Sequence, residues 1–209
     1  MRITKLGHSC LHVTDGDASI LIDPGAYSAG FEGLTGLTAI LVTHQHTDHL
    51  DQNRLPALLA ANPSTAVYAD AGSAPIVESA GFAVTTVKPG DEFDVGTSVS
   101  VHGGDHAVIH TDVPVVPNAA YLISGRLLHP GDSFTTLELP VEVLALPAAA
   151  PWMALKEGIE YFREVAPQVA FPIHDRILAD PAMTFGLLAT LGPQGTRWLT
   201  PADGETFDV

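Results

Sequence analysis

The chain is poor in cysteine, in cations and in long apolar runs, and each shortage excludes a class of function. One cysteine, Cys10, stands among 209 residues, so no internal disulfide can form and no thiolate pair is available for a structural zinc site. Nine Lys plus Arg face 24 Asp plus Glu, a formal net charge of −15. Nucleic-acid binding needs cations that displace condensed counterions, and a scattered few supply no footprint for it. Anionic membrane surfaces are disfavoured on the same ground. The acidity reads as solubility rather than recognition. The apolar stretches, such as ASILID and VEVLALPAAA, are strand-sized and too short to span a membrane. Met1 leads directly into RITKL, without the basic, apolar and small-residue sequence of an export signal. With the lone cysteine, this predicts a soluble cytoplasmic protein. No linker, low-complexity segment or clear repeat interrupts residues 1–209, so a single domain is expected, and 46% hydrophobic residues can fill its core.

Histidine is the exception to this thrift. Ten are present, which points to nitrogen and oxygen metal ligands rather than sulfur. The pattern around them alternates strands and helices. RITKLGH and CLHVT read as strands, DGD as a hairpin turn into ASILID, and TAILVTH as a buried strand after a glycine-rich loop. Asn53 is expected to cap a helix over RLPALLAA, followed by the strand TAVYAD, a helix in AGSAPIVESAG and the strand AVTTVK. TSVSVHGG, AAYLISG, RLLHPG and VEVLALP continue as strands, with Ser124-Gly125 as a hairpin turn. Trp152, Leu155, Ile159, Phe162 and Ala166 recur at helical spacing and predict a helix over 152–166. VAFPIH is then a strand, and a short or broken helix is expected within ILADPAMTFGLLATLG.

The densest chemistry lies in His44-Gln45-His46-Thr47-Asp48-His49, directly after the apolar AILVT. In an extended segment side chains two apart point the same way, so His44 and His46 can grip one metal ion together. The chain then turns, leaving Asp48 and His49 free to face a second ion. Ligand-type residues this dense are costly to hold together without a cation to share.

This HxHxDH pattern resembles the first metal motif of the metallo-β-lactamase superfamily, and further matches follow in order. Asp23 in LIDPG is similar to the acidic residue that closes an early strand in that family. Asp132 in HPGDS resembles the aspartate of its Gly-Asp-Ser/Thr turn, and His174 in FPIHD the histidine of its terminal motif. With the opening LGHSC, the chain is most similar to the compact branch of metal-dependent hydrolases related to ascorbate-phosphate lactonases. The resemblance implies an α/β fold, a four-layer αββα sandwich, which the two batches of strands followed by helices also allow.

It implies a metal centre as well. One divalent ion would take His44, His46 and His106, a second Asp48, His49 and His174, with Asp132 bridging; zinc or manganese suits the donors, and iron is an option. For the third histidine of the first ion the sequence offers His102, His106 and His110. His102 lies inside a strand, Gly103-Gly104 let the backbone turn toward the site, and His106 is the first histidine beyond them. Asp23 is expected to support a ligand by hydrogen bonding. His8 and His129 either do the same for a ligating carboxylate or are a packed core histidine and a strand-end residue. His12 reads as structural.

The implied reaction is hydrolysis. Water between the ions deprotonates near neutrality and attacks a carbonyl carbon or phosphorus, while Asp48, the catalytic candidate, orients it or returns a proton to the leaving group. An ester, lactone, amide or phosphodiester of a small molecule remains open, whereas a β-lactam is disfavoured because nothing points to export. Arg176 and Lys156 are the cations placed to hold a phosphate, and Trp152 either walls a pocket or anchors its helix in the core, the second being preferred. The alternatives are an iron-dependent oxidoreductase of the same fold, dioxygenase-like, and a non-catalytic metal-binding module. Flavodiiron-type relatives carry a carboxylate where His46 stands, mononuclear dioxygenases use fewer ligands, and binding modules lose ligands that are all present here.

Overall fold

The computed structural model describes Met1–Val209. Its strands are β1 (Arg2–Lys5), β2 (Leu11–Asp15), β3 (Ala18–Ile22), β4 (Ala39–Val42), β5 (Ala66–Ala69), β6 (Thr85–Thr86), β7 (Glu92–Asp94), β8 (Ser98–Asp105), β9 (Pro117–Ile123), β10 (Leu127–His129), β11 (Val143–Pro147), β12 (Val169–Ile173), β13 (Arg197–Trp198) and β14 (Thr206–Asp208). Four helices join them: α1 (Leu55–Ala61), α2 (Ala74–Ser79), α3 (Leu155–Val165) and α4 (Ala182–Leu191). The strands form two seven-stranded sheets, ordered β14-β1-β2-β3-β4-β5-β6 and β13-β12-β11-β10-β9-β8-β7. Each sheet is antiparallel from one end to its middle and parallel from there to the other end; helices α1 to α4 make four of the parallel crossovers, and loops make those from β3 to β4 and from β10 to β11.

Side-chain alternation sorts the layers. Along β4, Ala39 and Leu41 face the second sheet, while Ile40 and Val42 face α1 and α2. In β12, Phe171 and Ile173 meet the first sheet, and Ala170 packs beneath α3 and α4 beside Leu146 and Leu188. Three apolar layers therefore separate four structural ones, the αββα sandwich expected. Both sheets are covered on both faces, which is why the parallel strands read as continuous apolar runs. No helix is long and apolar enough to cross a membrane.

Local departures from the expected elements have physical causes. Asn53 does not cap α1, whose N-cap position is Arg54 without a side-chain cap; Asp51 instead holds the turn before the helix, accepting the Asn53 and Arg54 amides on Oδ1 at 2.9 and 3.3 Å. Strand β8 does not turn at Gly103-Gly104 but runs on to Asp105, pairing Gly103 with Ala119 and Gly104 with Asn118. The glycines serve a different need: Gly103 has φ +77°, and a Cβ there would lie 2.8 Å from Thr135 Oγ1. Trp152 precedes α3 rather than opening it, and Ala166 ends that helix in a left-handed conformation. AVTTVK forms a strand only at Thr85–Thr86, opposite Tyr68 and Ala69, although the next residue, the buried Val87, still donates its amide to the Ala69 carbonyl at 2.9 Å. Strands β7, β13 and β14 have two or three residues each, too few for a periodicity to register.

Strands β1, β3 and β4 run in one direction, as do β8, β10 and β12, so their C-terminal ends open at a common edge of each sheet. Open sheets take ligands at such an edge. The two sheets are tied together there: the buried Tyr121 of β9 donates its hydroxyl to the Val42 carbonyl at 2.9 Å, and Ala119 N–H reaches Thr43 O at 2.8 Å. Tyr121→Phe keeps the ring and removes one buried hydrogen bond. It should lower unfolding stability by about 1–2 kcal/mol, read as a lower denaturant midpoint with unchanged slope.

Candidate metal centre

Every histidine and carboxylate of the expected donor set lies just beyond a strand end at that shared edge. His44 follows β4 by two residues, His106 follows β8, Asp132 lies past β10, and His174 is the first residue after β12. His46, Asp48 and His49 come from the turn after β4, where the His49 and Leu50 amides both return to the His46 carbonyl. Gly25 allows that turn to pack against the loop after β3, since a Cβ there would fall 1.6 Å from the Asp48 carbonyl oxygen. Five residues other than glycine have positive φ, and three of them, His8, Asp23 and His174, belong to this site. Such conformations cost of order 1–3 kcal/mol each and persist where the surrounding structure over-determines them.

The donors fall into overlapping groups. His44, His46 and His106 form one, with His44 Nε2 3.1 Å from His46 Nδ1 and ring centroids 4.7–4.9 Å apart. His8, Asp48, His49 and His174 form another, and Asp132 joins His44 and His49 between them. Asp132 Oδ1 lies 3.1 Å from His49 Nε2, and its Oδ2 lies 3.1 Å from His174 Nε2 and 3.3 Å from His106 Nε2. None of these imidazole nitrogens has a hydrogen-bond partner, nor does Asp132 Oδ1, although all are buried. Donor atoms around a tetrahedral ion with bonds of 2.0–2.1 Å stand about 3.4 Å apart. Buried, unpaired and spaced in that way, the residues fit divalent metal ions.

The outward nitrogens are held in place. His49 Nδ1–H donates to Asp23 at 2.7 Å, His106 Nδ1–H to the Ala107 carbonyl at 2.5 Å, and His174 Nδ1–H to the Ala149 carbonyl at 2.6 Å. Each bond fixes a tautomer that leaves Nε2 bare toward the interior. Asp23 in turn accepts from the Thr43 amide at 2.8 Å and hydroxyl at 2.7 Å. The turn carrying Asp132 is fixed by Asn118, whose Oδ1 takes the Asp132 amide at 3.0 Å. Thr43 and Asn118 had no motif to announce them. Trp152 is a larger departure: its side chain leaves the core and donates Nε1–H to Asp132 Oδ2 at 2.7 Å, because the chain reaches the site before α3 begins.

The remaining histidines separate cleanly. His8 is fully buried and donates Nε2–H to Asp48 Oδ2 at 3.1 Å, while its Nδ1 has no partner. Lacking the outward anchor of its neighbours, it is arranged as a hydrogen-bond donor to the carboxylate. His129 touches no carboxylate; it donates to the Ser9 carbonyl at 2.9 Å and accepts the Gly131 amide at 3.3 Å. His102 pairs with Ser100 at 2.9 Å along β8, and His110 is exposed with its Nδ1 on the Asp112 amide. Both stand apart from the donor groups. His12 bonds Ser19 between strands. Arg176 pairs with Asp203 at 3.2 Å, and Lys156 lines a groove with Glu157, Glu160 and Glu164, so neither is a free cation beside the donors.

Electrostatics divide the site in two. Burial, and then the neighbouring His49, hold His44 well below the ordinary histidine value; burial and His106 lower His46. His44 and His46 are thereby favoured as neutral imidazoles, the form that binds a metal. In the other half burial is overcome: Asp132 and Asp23 push His49 well up, and Asp132 raises His174 to about 9. Burial likewise fails to neutralise the acids, since His49 holds Asp132, and His174 with His8 hold Asp48, well below the carboxylate range. These carboxylates demand positive charge, from protons or from metal ions. For metal-free protein the sign follows from His174: its raised pKa stabilises the fold below 6.5, and that contribution disappears as pH rises through about 9. Metal-free protein should therefore lose melting temperature between those limits, and zinc should abolish the dependence; a flat profile without metal would contradict this charge balance.

The profile of the Beta-lactamase superfamily domain matches residues 2–174. Protein Rv0786c of Mycobacterium tuberculosis is 47% identical over 215 residues, covering 99% of this chain and 100% of that one. UPF0173 protein PF0020 of Pyrococcus furiosus is 32% identical over 188 residues, covering 83% of each. Among solved structures, Igni18, a novel metallo hydrolase from the archaeon Ignicoccus hospitalis, aligns with a TM-score of 0.74 at 20% identity, covering 100% of this chain and 98% of that one. That likeness is one of fold. The sequence matches extend through the motifs that bring the donors together, and the chain belongs to the beta-lactamase superfamily, in the compact branch that holds the UPF0173 proteins.

Proposed function

We propose that this chain is a dinuclear metal-dependent hydrolase acting on an ester, lactone, amide or phosphodiester bond of a small molecule. One observation carries the reading: two histidine-rich donor groups, with buried unpaired nitrogens turned inward, meet at a single carboxylate, Asp132. His44, His46 and His106 would hold one ion and Asp48, His49 and His174 the other, with Asp132 shared. Divalent ions bound there, zinc or manganese by donor chemistry, supply hydroxide near neutral pH and polarise the oxygen of the scissile bond.

The chain's own groups contribute orientation and charge. Asp23, accepting from His49 Nδ1–H, makes the facing Nε2 a better electron donor. Asp48 is the open carboxylate, with 22% of its side chain exposed against 4% for Asp132. His8 and His174 keep it ionised, which favours accepting and orienting the protons of a water molecule over donating one. Its role is therefore closer to orientation than to acid catalysis. An oxidative reaction draws less support, because His46 keeps the first donor group entirely imidazole. The buried lone thiol of Cys10 and the acidic composition suit a cytoplasmic enzyme with a small-molecule substrate.

The test is one variant on two readouts. Asp132→Asn retains shape but loses the charge that offsets repulsion between two dications. It should fold, retain chiefly one metal ion per chain, and lose turnover by orders of magnitude on whichever member of an ester, lactone, amide and phosphodiester panel the parent accepts. Unchanged metal content and unchanged turnover would eliminate the dinuclear mechanism.

A further inference from the structure

Trp152 is not used by the reaction as proposed, yet its polar atom is committed to the site. The segment between β11 and α3 contacts two donors from outside: Trp152 Nε1–H meets Asp132 Oδ2 at 2.7 Å, and the Ala149 carbonyl takes His174 Nδ1–H at 2.6 Å. Asp132 follows β10 and His174 follows β12, so one short segment holds ligands from two strands. The indole is itself immobilised. Phe134 meets its ring edge-on at 5.0 Å and 70°, and Phe134 leans against Tyr161 of α3 at 4.9 Å. The buried Tyr161 hydroxyl donates to the Thr135 carbonyl at 2.7 Å, which locks the base of this stack.

An aromatic side chain needed only as an apolar wall has no reason to turn its one donor inward. Half-buried as it is, the indole N–H could have faced water. It is aimed instead at the carboxylate whose other oxygen, Oδ1, has no hydrogen-bond partner. A carboxylate oxygen carries two lone pairs, so a bond to the indole leaves Oδ2 able to serve a cation as well. We propose that Trp152 is the positioning residue of the shared aspartate: its indole N–H fixes the Asp132 rotamer so that the carboxylate faces both donor groups at once. The proposal rests on the metal-centre reading and deepens it, for it assigns the convergence of the two groups to an interaction outside the ligand set. Losing a partner of this kind weakens metal binding about 10–100-fold.

The chain has two tryptophans, and the second, Trp198, packs on Phe162 and Phe185 beneath α3 and α4, away from the donors. That separation permits a spectroscopic test. Metal-free wild type, Trp152→Phe and Trp198→Phe are titrated with Zn²⁺ against a competing chelator, with bound zinc and indole emission followed together. Zinc should alter the emission of Trp198→Phe, where Trp152 alone reports, and leave that of Trp152→Phe unchanged. Trp152→Phe keeps a ring in place but loses the N–H, and it should bind its second zinc at least about tenfold more weakly than wild type. Wild-type affinity for both ions in Trp152→Phe overturns the proposal, as does constant emission in Trp198→Phe while zinc binds. Should Trp152→Phe fail to fold, the emission of Trp198→Phe decides alone. If none of the three chains binds zinc, the metal-centre reading itself falls and the proposal with it, a result distinct from the others.

Discussion

Three carboxylates, Asp23, Asp48 and Asp132, are packed among imidazoles at the edge of a closely filled sandwich, and the organisation of that edge depends on balancing their charge. Two of these acids are at most 2% exposed, so water does little to screen them. A buried anion is tolerated only when paired or coordinated. The surrounding histidines settle differently: His49, between Asp23 and Asp132, is driven toward the protonated form in spite of its burial, while His44, held by burial and then by the neighbouring His49, is driven toward the neutral one. A cation-poor chain offers no arginine or lysine to the cluster, which leaves metal ions as the fitting counter-charge. The composition and the site are in this sense one fact.

Meeting that demand requires the two sheets to keep a fixed register, because neither holds a complete donor set. The first sheet supplies His44, His46, Asp48 and His49, the second His106, Asp132 and His174. Backbone bonds cross between them close to the donors: Ala119 N–H to Thr43 O at 2.8 Å, and His174 N–H to His8 O at 3.1 Å. The wholly buried His129 belongs to this framework. Its two ring nitrogens engage the Ser9 carbonyl and the Gly131 amide, joining the turn after β1 to the turn that carries Asp132. It supports the site mechanically, through backbone, without touching a carboxylate.

The sequence revealed these features unevenly, for physical reasons. The histidine-aspartate run was legible because ligand chemistry restricts residue type and spacing, and the sandwich because strand alternation sorts side chains between layers. The fold places His106, not His102 or His110, beside His44 and His46, although the supposed glycine turn is a continuation of β8; position relative to the strand end decides this proximity, not the bend. Trp152 was misjudged because helical periodicity extends one turn beyond the actual helix, and an indole satisfies an apolar stripe as well as leucine does. Thr43 and Asn118 are ordinary residues whose importance comes from where the fold puts their side chains. Only the folded chain puts their oxygens beside Asp23 and Asp132.

Strand β14 lends the fold a property of a different kind. It pairs antiparallel with β1, Ile3 opposite Phe207, and so returns to the first sheet after the whole second sheet has been laid down. Until then β1 presents a bare row of amides and carbonyls, the kind of edge onto which a foreign strand readily adds. A growing chain must keep that edge unoccupied through the making of seven intervening strands of the other sheet. Closure of the first sheet is consequently a late step in synthesis, and a chain stalled before residue 206 carries an adhesive margin that the finished protein hides.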